Sequence, residues 1–224
     1  MKNIEPVELS ESLPLLEIDT GIQWLEKEDS PFGISGVDCF KFTQSMRSVT
    51  SDENIMAKFL TLRSYNGKDL KGKLPNDFIS VDTSLKYPYL GEVRDGILVK
   101  ARQMENKWDI YLFDKRIYFC RSWTGELAFV VDFNFDGETV SISKIYAWAD
   151  SLKDDEGYIV SQVDYLIKHY LHGKIVPHPI PQKFPLDLEQ IALLSQSNYG
   201  MDCCFATYED TVNYKRSEHG LSDR

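Results

Sequence analysis

Four cysteines in 224 residues, Cys39, Cys120, Cys203 and Cys204, are too few to staple a secreted scaffold of this length. None stands in a Cys-x-x-Cys pair, so reduced thiols buried as small hydrophobes are expected. Long apolar runs are also missing: the longest is Leu127 to Val131, against the roughly 18 residues a membrane span needs. The first residues, MKNIEPVELSESLPLLEID, lack the basic start and apolar stretch of a secretory signal. A cytoplasmic location is therefore expected, with no membrane partner. A basic excess is absent as well, since 25 Lys and Arg face 35 Asp and Glu for a net charge of -10. Such a surface repels phosphate backbones and anionic lipids, which excludes a general nucleic-acid-binding face. No GxSxG, Walker A or GxGxxG string occurs, so hydrolase elbows and phosphate-cradling loops have no support.

What is present begins with uneven charge. Residues 1–30 carry eight acids against Lys2 and Lys27, more than half of the net charge. With Pro6, Pro14 and scattered apolar residues, this stretch reads as an acidic arm with at most a short helix around Ile22 to Leu25. From Arg94 to Arg121 the sign reverses, with seven bases against four acids. Residues 31–224 read as a single domain, long enough to bury a core without disulfide or metal.

Strand signals dominate the middle of the chain. Gly96 to Arg102, Lys107 to Phe113, Arg116 to Ser122, Glu126 to Phe135 and Thr139 to Trp148 are short, rich in β-branched and aromatic residues, and separated by turn dipeptides such as Asp136-Gly137. Connections this tight require antiparallel pairing. Val37 to Phe42 and Ala57 to Leu62 read as two further strands. Helix signals follow. In Tyr158 to His172 the apolar residues recur every three or four positions before Gly173, and Asp187-Leu188-Glu189-Gln190 resembles a capping box opening a second helix through about Ser195. The expected fold is α+β: an antiparallel β-meander sheet with C-terminal helices packed on one face.

The densest chemical string is Tyr118-Phe119-Cys120-Arg121-Ser122-Trp123-Thr124-Gly125. On a strand Phe119, Arg121 and Trp123 share a face, so a guanidinium lies between aromatics. That arrangement suits an anionic, ring-bearing ligand, with Arg121 forking the anion, Trp123 stacking and Thr124 beside them. The bland alternative is an Arg paired to a local acid and a Trp packed at a hairpin end. His172 or His178, brought near by the C-terminal helix, would supply a general acid or base.

The spacing His169-x2-His172-x5-His178 offers metal ligands on paper. With no carboxylate or cysteine close in sequence, the helix histidines read as partly exposed groups favoured by the helix dipole, and no metal or cofactor is expected. Asp132-Phe133-Asn134-Phe135-Asp136-Gly137 opens like a calcium loop, but Ser143 stands at its twelfth position, where a Glu is needed.

The strings Pro31-Phe32-Gly33, Phe42-Thr43-Gln44-Ser45-Met46, Glu105 to Tyr111, Tyr118 to Gly125 and Pro177-His178-Pro179-Ile180-Pro181 resemble a family of uncharacterised bacterial proteins carrying an Arg-Ser-Trp-Thr-Gly motif, to which no activity is assigned. The resemblance implies a bacterial origin and a single domain. The Arg-Ser-Trp-Thr-Gly string is also similar to one in small bacterial proteins found beside ADP-ribose-processing domains; five residues transfer no chemistry.

With no complete catalytic constellation, the reading leans away from an enzyme. It favours a non-enzymatic binding or interaction module, such as an acidic partner of a basic protein, because net charge steers association. The rival expectation is a small-molecule enzyme or sensor for an anionic, ring-bearing ligand such as a nucleotide derivative, held by Arg121 and Trp123.

Overall fold

The computed structural model describes residues 20–149 and 155–214. The first nineteen residues of the expected acidic arm thus lie outside the described residues. The segment that follows is built into the fold as strand β1 (Gln23–Leu25), where a short helix was expected. It pairs antiparallel with β2 (Gly36–Asp38). Chain order then runs α1 (Phe40–Ser45), α2 (Glu53–Ser64), β3 (Phe78–Pro88), β4 (Gly96–Val99), β5 (Trp108–Phe113), β6 (Arg116–Arg121), β7 (Leu127–Phe135), β8 (Thr139–Trp148), α3 (Glu156–Leu166), β9 (His178–Pro179), α4 (Leu188–Tyr199) and β10 (Phe205–Thr207).

The expected meander is present. A six-stranded antiparallel sheet runs β3-β8-β7-β6-β5-β4, beside a four-stranded sheet in the order β1-β2-β10-β9. The β5–β6 hairpin closes through Asp114 and Lys115, both left-handed at φ 50° and 60°, the twist a two-residue turn between paired strands requires. Two of the expected strands take another form. Only Val37 and Asp38 of the first are extended, as the end of β2, because α1 starts at Phe40; Ala57 to Leu62 lies inside α2, whose N-terminus is fixed by the Asp52 carboxylate accepting from the amides of Asn54 and Ile55.

Period-two alternation divides the large sheet into two chemically different faces. Trp108, Ile110, Leu112, Ile117, Phe119, Phe129, Val131, Ile142 and Ile145 point to one side, where Ile159, Val163, Leu166 and Ile167 of the C-terminal helical segment cover them. This is the main core, and fully burying a side chain of this size contributes about 1.5–3 kcal/mol. On the other side Tyr111, Phe113, Tyr118, Cys120 and Val130 pack beneath Tyr65, Leu70 and Leu74. A third, smaller cluster, with Val37, Ile180, Ile191 and Ala206, joins α4 to the small sheet. No helix among the described residues is long and apolar enough to cross a membrane.

Candidate functional site

After Leu166 the C-terminal helix widens into one π-turn, Ile167–Leu171, before ending at His172. A π-turn adds a residue to the helical repeat and shifts the side chains beyond it, which is why such turns gather at functional sites. Here it leaves a cavity of about 430 Å³ between helix and sheet, lined by Ile167, Tyr170, Leu171 and His172 above and Leu112, Ile117, Phe133 and Val140 below. Its mouth is formed by Tyr89 and Glu92 to Asp95 of the segment joining β3 to β4, and by Gly96 to Leu98 of β4. Val93 of that segment and Ile97 and Leu98 of β4 are exposed apolar residues, and Arg94 pairs with Glu92 at the rim.

The polar groups at the inner wall are mostly committed. Tyr87 donates its hydroxyl to Asp164 at 2.8 Å, and Asp164 is also held at 2.6 Å by the Lys168 ammonium. Lys168 reaches on to the carbonyls of Thr211 and Val212, tying the C-terminal segment to the helix. Burial, outweighing the pull of Lys168, raises the Asp164 carboxyl above its usual range. Tyr170 donates to Asp202 at 2.9 Å. His172 is different: half-buried, its ring tilted against Tyr87 with centroids 5.5 Å apart, it faces the cavity. Burial, and then the Lys174 charge, lowers its pKa, so the imidazole is neutral at neutral pH and offers one donor and one acceptor.

Arg121, Trp123 and Thr124 do come together, around a separate cleft of about 300 Å³ with Lys107, Glu126 and Ser197. Arg121, however, spends both guanidinium arms on the last carbonyls of α4, Asn198 at 3.0 Å and Ser197 at 2.6 Å, and lies over the Trp108 ring at 4.8 Å. A cation at a helix C-terminus satisfies orphan carbonyls and complements the dipole. Trp123 donates to the Met104 carbonyl, and the Lys107 ammonium sits 4.5 Å over its ring. Burial, together with the neighbouring Arg121 charge, pushes Lys107 down to about 8. His172 is in the first cavity, and His178 is completely buried near neither cleft opening. The five candidate residues therefore occupy three places.

His178 instead meets two cysteines. Cys39, at the entrance to α1, and Cys203, between α4 and β10, place their sulfurs and an imidazole nitrogen of His178 within 4.8 Å of one another. All three are sealed from solvent. The hydrogen bond with Cys203, reinforced by His178, pulls the Cys39 thiol down to about 5 against the effect of burial, while burial pushes Cys203 well up. The signals for this group were the proline-flanked His178 and the Cys203-Cys204 pair, but nothing in their spacing points to Cys39.

The class of protein these features define is an α+β domain with an apolar cleft between a meander sheet and a π-turned helix. No family model, curated protein or solved structure matches the chain.

Proposed function

We propose that this protein is a binding module whose ligand, a small and largely apolar molecule bearing a ring, enters the cleft between the sheet and the π-turn. The observation that carries the reading is the 430 Å³ cavity itself. Its volume falls in the range of small-molecule sites, its floor is aliphatic and aromatic, and His172 provides a hydrogen-bonding group of the kind that orients a ligand. Tyr87, fixed by Asp164, backs the imidazole and limits its rotation. The proposal keeps a non-enzymatic binding module but not its basic protein partner, and takes from the rival reading a ring-bearing ligand, no longer anionic and moved from the Arg121 cleft, where main-chain carbonyls hold the guanidinium, to the cavity beside His172.

Titration with anilinonaphthalene sulfonate, a fluorescent probe that is both apolar and ring-bearing, tests the assignment. Wild type should bind saturably. Val140→Trp, which fills the cavity from the β8 side, should weaken binding by more than about tenfold, a loss of over 1.4 kcal/mol. Thr124→Trp, which fills the other cleft, should leave it unchanged. Equal binding by wild type and Val140→Trp, or loss of binding only in Thr124→Trp, overturns the proposal.

A further inference from the structure

We infer that Cys39, His178 and Cys203 form a buried zinc site that joins the small sheet to the loop after α4. The three residues come from segments far apart in the chain. Strand β10 brings them together: β2 lies on one side of it, β9 on the other, and Cys203 just before it. The Cys39 amide donates to the Cys204 carbonyl at 3.1 Å, and Thr43 donates its hydroxyl to the Cys203 carbonyl at 2.9 Å, so the backbones carrying the two sulfurs are fixed to each other.

The histidine supplies the second observation. Its Nδ1 lies 3.3 Å from the Pro179 carbonyl, which only accepts, so Nδ1 donates there and Nε2 is the nitrogen left for a metal. Nε2 is buried and has no hydrogen-bond partner among the described residues. Leaving such an acceptor unsatisfied is unfavourable, whereas a metal ion satisfies it. A ligating imidazole whose other nitrogen donates to a backbone carbonyl is the usual second layer of a metal centre. Tyr199 and Tyr165 pack against the ring at 4.6 Å and 5.7 Å and hold its orientation.

Two thiolates and an imidazole are a borderline-soft donor set, which favours zinc over magnesium, calcium or manganese. The ligand atoms lie within 4.8 Å of one another, and ligands about 2.0–2.3 Å from one tetrahedral ion lie within about 4 Å of each other, so the side chains would close by less than about 1 Å on binding. Binding replaces the remaining thiol protons, which pass to solvent, and the ion involves no change of oxidation state. Neither cavity described above reaches the cluster, so the ion is structural and is taken up as the chain folds.

The full-length chain, expressed with zinc in the medium and purified without chelator, should contain about one zinc per molecule by elemental analysis. Cys39→Ser and His178→Gln should each reduce that content at least tenfold. If the variants do not fold, the wild-type chain still decides: refolded with Co²⁺ it should develop a thiolate-to-cobalt charge-transfer band, and refolded with Zn²⁺ it should melt higher than when refolded with a chelator. Wild type free of zinc that yields no such band and melts alike with zinc or chelator overturns the inference, as does a Cys39–Cys203 disulfide in protein purified without reductant. Probe binding in the cleft beside His172 is a separate reading, and neither result depends on the other.

Discussion

The two faces of the six-stranded sheet are held by different physics. Toward α3 the contacts are mainly apolar, with the Tyr87–Asp164–Lys168 group as a polar exception, and that is the side on which the π-turn leaves a cavity. Toward α2 the apolar cluster is smaller, and the helix is anchored by charge. Asp109, 1% exposed, accepts from Arg63 at 3.2 Å, from Lys100 at 2.9 Å and from the Ala101 amide at 2.8 Å. Arg63 continues to the Ser122 carbonyl, so one carboxylate joins α2, the β4–β5 connection and the end of β6. A face secured by packing draws its strength from many contacts that are individually small, so no single one is decisive. One secured by a buried carboxylate depends on every partner being in place.

Removing that carboxylate should produce the largest effect. Asp109→Ala leaves Arg63 and Lys100 without their shared carboxylate and should destabilise by about 3–5 kcal/mol in urea unfolding; a loss below 1 kcal/mol would show that packing alone holds α2. On the opposite face Ile145→Ala, which empties a fully buried position, should cost about 3 kcal/mol, and a much smaller cost would mean that the core there collapses around the void. Asp187→Ala removes the carboxylate that accepts from the Gln190 amide at 3.0 Å and should cost about 1 kcal/mol.

The smallest expected effect is on pH dependence and concerns only the α3 side. His169 and His172 have their pKa values lowered below 6.5 by burial. The unfolded chain therefore takes up their protons first as pH falls. Stability is fully present above 6.5, declines as pH falls from there through the lowered values, and levels off below them. Asp164 acts oppositely, because its raised carboxyl is protonated in the folded chain before the unfolded one. Comparing urea midpoints of wild type with a His169→Gln, His172→Gln double variant isolates the histidine contribution: the variant should lose the decline that begins near 6.5. An unchanged pH profile would count against buried neutral imidazoles on this face.

Local pattern was readable wherever burial followed a regular period. The meander strands from Gly96 to Trp148 alternate or carry apolar runs and end at turn residues, and α3 and α4 show three-four spacing with recognisable caps. The failures have physical reasons. In α2 only Phe59 is buried and Leu60 is exposed, so the run Phe59-Leu60-Thr61-Leu62 looks like a strand, while the anchor that makes it a useful helix is Arg63 reaching Asp109. Strand β3 gave no expectation at all: its register breaks between Asp82 and Leu85, and most of its residues are exposed. Gly36 to Asp38 and Gln23 to Leu25 are too short for any period to settle, and only their pairing makes them strands.

The candidate sites divide in the same way. Arg121, Trp123 and Thr124 are close in the chain and meet around one cleft, but the chain cannot reveal that the C-terminal end of α4 would arrive to occupy the guanidinium. Gly200 shows why the arrival is specific: it ends α4 at φ 64°, and a side chain there would run into the Glu105 carbonyl, so the helix end and the Glu105-Asn106 turn approach as closely as glycine permits. Amino-acid order was enough for the strand-rich α+β class, the hairpins and the helix caps, because each depends on neighbours within a few residues. The π-turned cleft, the Asp109 network and the meeting of Cys39 with His178 and Cys203 were decided by packing between distant segments, where burial removes water and makes every unpaired group costly.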